Sequence, residues 1–115
     1  MPRCTRRLRD RIGDILKAID EIERFTCSMN FDDFQPAEQT VKSVLYNIAI
    51  IGEAARHLPP EVTERYPEIP WIDVRGMRNV VIHEYFQVDL EIVWQAIQED
   101  LTPLALSLRK LLDEE

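Results

Sequence analysis

The chain has 115 residues, which fits one domain and excludes a multi-domain enzyme. Its residues are 45% hydrophobic and 30% charged, a composition that excludes a disordered chain. The net charge of −7 argues against broad, non-specific nucleic-acid binding, which usually needs a basic surface. No apolar run approaches the roughly 18 residues of a membrane span, and the start of the chain lacks the apolar stretch of a signal peptide, so we expect a cytoplasmic protein.

The first predicted helix covers about residues 5–29. Its apolar residues recur at alternating steps of four and three, the spacing of one helix face: Leu8, Ile12, Ile15, Ile19 and Ile22. Five arginines against Asp10 give residues 1–11 a local charge of +4, which leaves −11 for the rest of the chain. This basic start is either a solvated helix end or an arm that contacts an RNA backbone or an acidic partner.

A second helix is predicted from Pro36 to about His57. Its apolar surface is wider than one stripe, so we expect the helix to be central or to lie at an interface. Glu53 lies among apolar and small neighbours and is either solvated or close to the residues that carry chemistry. His57 lies near the helix end, where a cation is favoured, and we interpret it as structural.

The two cysteines, Cys4 and Cys27, have no further cysteine or histidine at ligand spacing, which argues against a zinc site. We expect Cys27 to be partly buried and neither thiol to be catalytic. No metal or other cofactor is predicted.

Prolines divide the middle of the chain, because the residue before a proline avoids the α region. A short turn of helix is predicted at residues 61–66, and Pro70 opens the next helix. The last helix is predicted over residues 89–112, with Asp89 as its N-cap, a hydrophobic staple between Val88 and Val93, and a bend at Pro103. Residues 113–115 are predicted to fray.

No strand-like alternation, internal repeat or Gly-rich phosphate loop is present. The periodicity therefore predicts an all-α fold, an up-and-down bundle of four to five helices within a single domain.

The densest chemistry lies in PWIDVRGMRNVVIHEYF, residues 70–86. Read as a helix, this stretch puts Gly76, Asn79 and His83 on one face. Glycine costs about 1 kcal/mol against alanine inside a helix, which suggests a close approach to the backbone at Gly76. Arg78 lies about 140° around the helix from His83. Both can serve one substrate if the guanidinium reaches round, if the β-branched run at residues 80–82 loosens the helix, or if a second chain completes the site.

These residue types suit one kind of reaction. Histidine takes and returns protons near neutrality, and arginine holds a phosphate through paired charged donors. Asn79, one turn before His83, can hydrogen-bond its ring and fix the tautomer. The set suits phosphodiester cleavage by an RNA's own 2′-hydroxyl, which needs no metal.

The pattern R-x-x-x-x-H-x-Y, formed by Arg78, His83 and Tyr85, resembles the signature of the HepT-like toxins, a branch of the HEPN superfamily. Asn79 directly after the arginine fits that family as well. Three further strings resemble it: NIAIIGEAARHLP at 47–59, PW-x-x-x-x-GMRN at 70–79 and VDLEIVW at 88–94.

This resemblance implies an all-α, dimeric, metal-independent endoribonuclease in which Arg and His of both protomers face a shared cleft. It also implies a toxin that pairs with a nucleotidyltransferase antitoxin of the MNT type, able to transfer AMP to Tyr85. Arg78 would bind the scissile phosphate, His83 would act as general acid or base, and Asn79 would orient His83 or the substrate. The candidate supporting residues are Glu53 and Arg75.

A competing interpretation is a non-catalytic helical adaptor or a subunit that presents substrate to a nucleotidyltransferase. It accounts for the acidic charge directly.

Overall fold

A computed structural model describes residues 2–83 and 89–115 of the chain, and side chains within residues 8–77 and 89–115. Over those ranges the structure is helical, without a strand, which confirms the predicted all-α class. The helices are α1 (Pro2–Thr26), α2 (Phe31–Phe34), α3 (Glu38–Arg56), α4 (Pro60–Arg65), α5 (Trp71–His83), α6 (Leu90–Glu99) and α7 (Leu101–Glu114). None of these helices combines the length and apolar character that a membrane span requires.

Helix α1 buries its predicted stripe from Leu8 to Ile22 almost completely. It ends three residues earlier than predicted, at Thr26, whose hydroxyl donates to the carbonyl of Ile22 at 2.7 Å. Cys27 follows in the turn and is exposed, so the prediction that it is partly buried was wrong.

The short helix α2 was not predicted, because four residues carry no periodic pattern. Asn30 starts it with a reciprocal cap. The side-chain oxygen of Asn30 accepts a hydrogen bond from the backbone N–H of Asp33 at 2.9 Å, and the backbone N–H of Asn30 donates to the Asp33 carboxylate at 3.1 Å. This cap holds Phe34 in the core, where its ring centroid lies 5.0 Å from that of Trp94.

Helix α3 packs against both α1 and α5, which explains its wide apolar surface. It buries residues on two adjoining faces: Val44, Leu45, Asn47, Ile48, Ile51, Gly52, Ala54 and Ala55. The prediction of a central helix is therefore confirmed, with a start at Glu38 rather than Pro36. A second chain is not needed to account for most of this surface.

The predicted last helix is two helices that break at Asp100. Asp89 caps α6 as predicted, accepting from the Glu91 amide at 2.9 Å, whereas the staple partner Val88 lies outside the described residues. A bend was expected at Pro103, and the structure instead has a break between the two helices at Asp100. Pro103 lies in the first turn of α7, where its missing amide hydrogen costs the helix little.

The prediction that residues 113–115 fray was wrong. Helix α7 continues to Glu114, and the carboxylate of Glu115 accepts hydrogen bonds from Arg65 and, at 2.9 Å, from the Tyr66 hydroxyl. Burial, together with this hydrogen bond to a carboxylate, raises the pKa of Tyr66 to about 12. The end of α7 is thereby tied to the turn that precedes α5.

Candidate active site

Helix α5 carries the predicted catalytic residues, and its first turn is firmly anchored. Trp71 and Val74 are both buried in the core. The indole N–H of Trp71 donates to the carbonyl of Tyr66 at 3.0 Å, while Glu115 holds Tyr66 from the other side. This anchor was missed from the sequence, although a tryptophan directly after Pro70 marked the place where the helix begins.

Arg78, Asn79 and His83 all lie on α5, which stays helical to His83. Of the three ways in which Arg78 and His83 could serve one substrate, a loosened helix at residues 80–82 is not observed, and α5 packs along α3 despite the weak helix preference of β-branched residues. The side chains of these three residues, and the whole of Tyr85, lie outside the described part of the chain. Their roles stay predictions.

Positions 78, 79 and 83 point in two different directions around the axis of α5. Asn79 and His83 share the face of Ile72 and Gly76, because steps of three, four and seven return to one side of a helix. Ile72 is 82% exposed, so this face points outward where the structure describes it. Position 78 instead follows Trp71 by seven residues and is in register with the buried face.

Gly76 has no close neighbour in the part of the chain that the structure describes. Among the described atoms, a Cβ placed there would have nothing within 4 Å. The described residues therefore make no close approach to Gly76, and the suggested approach to its backbone stays a prediction. Ile72 and Gly76 together form an open strip on α5 that leads toward position 79, and we call it the outer strip.

Glu53 lies on α3, the helix that packs along α5. One of its carboxylate oxygens is 3.1 Å from Nε2 of His57, and both side chains are about half exposed. The second oxygen, Oε2, is buried. Glu53 is thus neither fully solvated nor fully buried. His57 is the C-cap of α3, and its interpretation as a structural residue stays a prediction.

Arg75 lies one turn before Arg78 on α5 and is partly exposed. Among the residues that the structure describes, it makes no ion pair, and its supporting role stays a prediction. The described side chains also form no group of three or more that could hold a metal ion.

Comparison with known proteins places the site in context. A model of the family described as Ribonuclease HepT-like matches residues 15–111, a range that includes all of α5. The chain is 38% identical over 103 residues to "Probable ribonuclease HepT" of Thermococcus cleftensis, covering 90% of this chain and 94% of that protein.

Two proteins of Methanocaldococcus jannaschii are also similar. "Putative RNase MJ0127" is 37% identical over 73% of this chain and 69% of its own length. "Gamma-glutamylcyclotransferase and putative RNase MJ0434" is 36% identical over 90% of this chain, which corresponds to 46% of that longer protein. No solved structure matches the chain significantly.

Proposed function

The chain belongs to the Ribonuclease HepT-like family, and we propose that it is an endoribonuclease that cleaves single-stranded RNA without a metal ion. The observation that carries this proposal is the family match over residues 15–111, together with one continuous helix that bears Arg78, Asn79 and His83. In the proposed reaction, the RNA 2′-hydroxyl attacks the adjacent phosphorus and the 5′-oxygen of the next nucleotide leaves.

The proposed roles follow from the chemistry of the side chains. His83 removes the proton of the 2′-hydroxyl or donates one to the leaving oxygen. Arg78 holds the phosphate and stabilises the charge that develops on it, and Asn79 orients His83 or the substrate. Arg75 adds positive charge one helical turn before Arg78. Glu53 orients Arg78 or favours the charged form of His83, a role supported by the packing of its helix along α5.

A cleavage assay on single-stranded RNA in EDTA tests the proposal. His83→Ala should abolish cleavage, because no other group on α5 replaces a neutral-range acid and base. Arg78→Lys should lose most activity, since lysine keeps the charge but not the planar pair of donors. His57→Gln is the matched control: it changes the only other histidine, keeps a donor toward Glu53 and should leave cleavage intact.

The result also decides between enzyme and adaptor. Correctly folded wild-type protein that leaves RNA intact in EDTA and in magnesium would favour the non-catalytic adaptor, whose main support is the net charge of −7. Loss of cleavage in His57→Gln but not in His83→Ala would contradict the assigned roles.

We further propose that the protein is a toxin neutralised by a nucleotidyltransferase antitoxin of the MNT type. The Tyr85 oxygen would attack the α-phosphorus of ATP, AMP would be transferred to the tyrosine, and pyrophosphate would leave. The support is the position of Tyr85 two residues after His83 and seven after Arg78, where an attached AMP would obstruct RNA.

Incubation with ATP, magnesium and the cognate nucleotidyltransferase tests this regulation. Wild type and Tyr46→Phe should gain the mass of AMP and lose cleavage, because Tyr46 is an exposed tyrosine on another helix and serves as the control. Tyr85→Phe should gain no AMP. Mass that still appears on Tyr85→Phe, or AMP on Tyr85 without loss of cleavage, would overturn the proposal.

A further inference from the structure

An apolar groove of about 290 Å³ lies between the first turns of α5 and the junction of α6 with α7. Its floor contains Ile69, Val74 and Leu104, all buried, and Met77, which is partly buried. Pro70 and Pro103 also line it. The groove lies on the buried side of α5's register, away from the outer strip.

Carboxylates surround this groove. Glu68, Asp73, Glu99 and Asp100 all line it and all are exposed, and none of the described residues that line it is basic. Within the described residues, none of the four forms an ion pair; Glu99 accepts only a hydrogen bond from Gln95 at 3.3 Å. Asp73 lies in the first turn of α5 and Asp100 is the N-cap residue of α7, so both also favour a helix start, whereas Glu68 and Glu99 have no such role.

This combination selects arginine as the occupant. The methylene stem of an arginine covers apolar surface, while its planar guanidinium donates paired hydrogen bonds to carboxylates. RNA is disfavoured, because its phosphates would meet the four carboxylates at short range. The chain itself contains one strongly basic segment, the start of α1 within residues 1–11, with its local charge of +4.

The α1 start cannot enter the groove of its own chain. Arg9 donates to the carbonyl of Leu112, which lies about 12 Å along α7 from Leu104 on the groove floor. Helix α1 begins seven residues before Arg9, whereas α7 ends two residues after Leu112. Phe34, which follows the end of α1, packs on Trp94 of α6, which precedes α7, so α1 and α7 run antiparallel. The basic start therefore extends past the end of α7, in the direction away from the groove.

We propose that the Arg-rich start of α1 binds in the acidic groove of a second copy of this chain. Two copies that exchange these segments make the contact twice and close into a pair. The contact is separate from the positions of Asn79 and His83, because these share the face of the outer strip and the groove lies on a different side of α5.

Charge reversal on each side tests the contact. One variant carries Arg3→Glu, Arg6→Glu and Arg7→Glu, and the other carries Asp73→Arg and Glu99→Arg. Each variant alone should associate at least about tenfold more weakly than wild type, because like charges then face each other. Mixed together they should associate as tightly as wild type, since both contacts regain opposite charges. Fluorescence titration of one labelled variant with the other measures this, and circular dichroism checks folding.

A matched control reverses two exposed carboxylates outside the groove, Glu23→Arg and Asp113→Arg, and should leave association unchanged. Raising NaCl from about 0.1 to 0.5 M should weaken wild-type pairing. The proposal is overturned if the arginine variant with itself, the groove variant with itself and the mixed pair all have equal affinity. That result is expected if the copies make contact through the catalytic cleft alone. The proposal is also overturned if the arginine variant loses RNA binding while the mixed pair fails to associate, since the segment would then serve RNA.

Discussion

At the residue scale, the register of α5 is the main result for function. Asn79 and His83 share the helix face of the exposed Ile72, whereas position 78 shares the face of the buried Trp71. The identity and spacing of these residues could be read from the sequence, because helical periodicity fixes their relative directions. The sequence could not show which of these directions faces outward, because that depends on which side of α5 the rest of the chain covers.

Tyr66 provides a residue-scale prediction about pH. Its folded-state pKa of about 12 lies above the ordinary value of 10, so the folded protein holds the phenolic proton more tightly than the unfolded chain. This stabilisation is fully present below about pH 10 and is lost as the pH rises toward 12. Ultraviolet titration of tyrosinate should show a late component in wild type that is missing in Tyr66→Phe. A wild-type curve in which every tyrosine ionises near pH 10 would contradict the buried contact with Glu115.

At the element scale, the long amphipathic helices were predictable and the junctions were not. The stripe of α1 and the cap at Asp89 follow from local spacing and local hydrogen bonds. Helix α2 is too short to show a period, and the end of α7 is held by Arg65 and Tyr66, far away in sequence. Contacts of that kind depend on tertiary packing, which no window of sequence contains.

Gly76→Ala tests the outer strip of α5 as an element. A Cβ at this position meets open space among the described atoms, so the isolated chain should gain about 0.5–1 kcal/mol of stability from the higher helix propensity of alanine. Cleavage should fall, because Gly76 shares the face of Asn79 and His83, and RNA held by those residues would pass close to its backbone. Urea unfolding and the EDTA assay measure the two effects. Alanine that stabilises the chain and leaves cleavage and association unchanged would show that nothing approaches Gly76.

At the scale of the whole molecule, the separation of Arg78 from His83 makes a shared cleft testable. With α5 helical throughout, the two positions differ by about 140° around the axis, which favours a site completed by a second protomer. Arg78→Ala and His83→Ala should each be inactive alone. Mixed after dissociation and reassociation, they should recover about a quarter of wild-type cleavage. Half of the dimers then contain one protomer of each variant, and each of these retains one of its two pairs of Arg78 and His83 from opposite protomers. Mixtures as inactive as either parent would contradict a shared cleft.

The central claim is that residues of α5 cleave RNA through the RNA's own 2′-hydroxyl. Its most direct measurement is the cleavage, in EDTA, of one single-stranded RNA and of the same strand with a 2′-deoxy nucleotide at the cut site. Wild type should cut only the unmodified strand and leave a 2′,3′-cyclic phosphate, and His83→Ala should cut neither. Cleavage of the 2′-deoxy strand at that site, or cleavage that appears only when a divalent metal is added, would contradict the account.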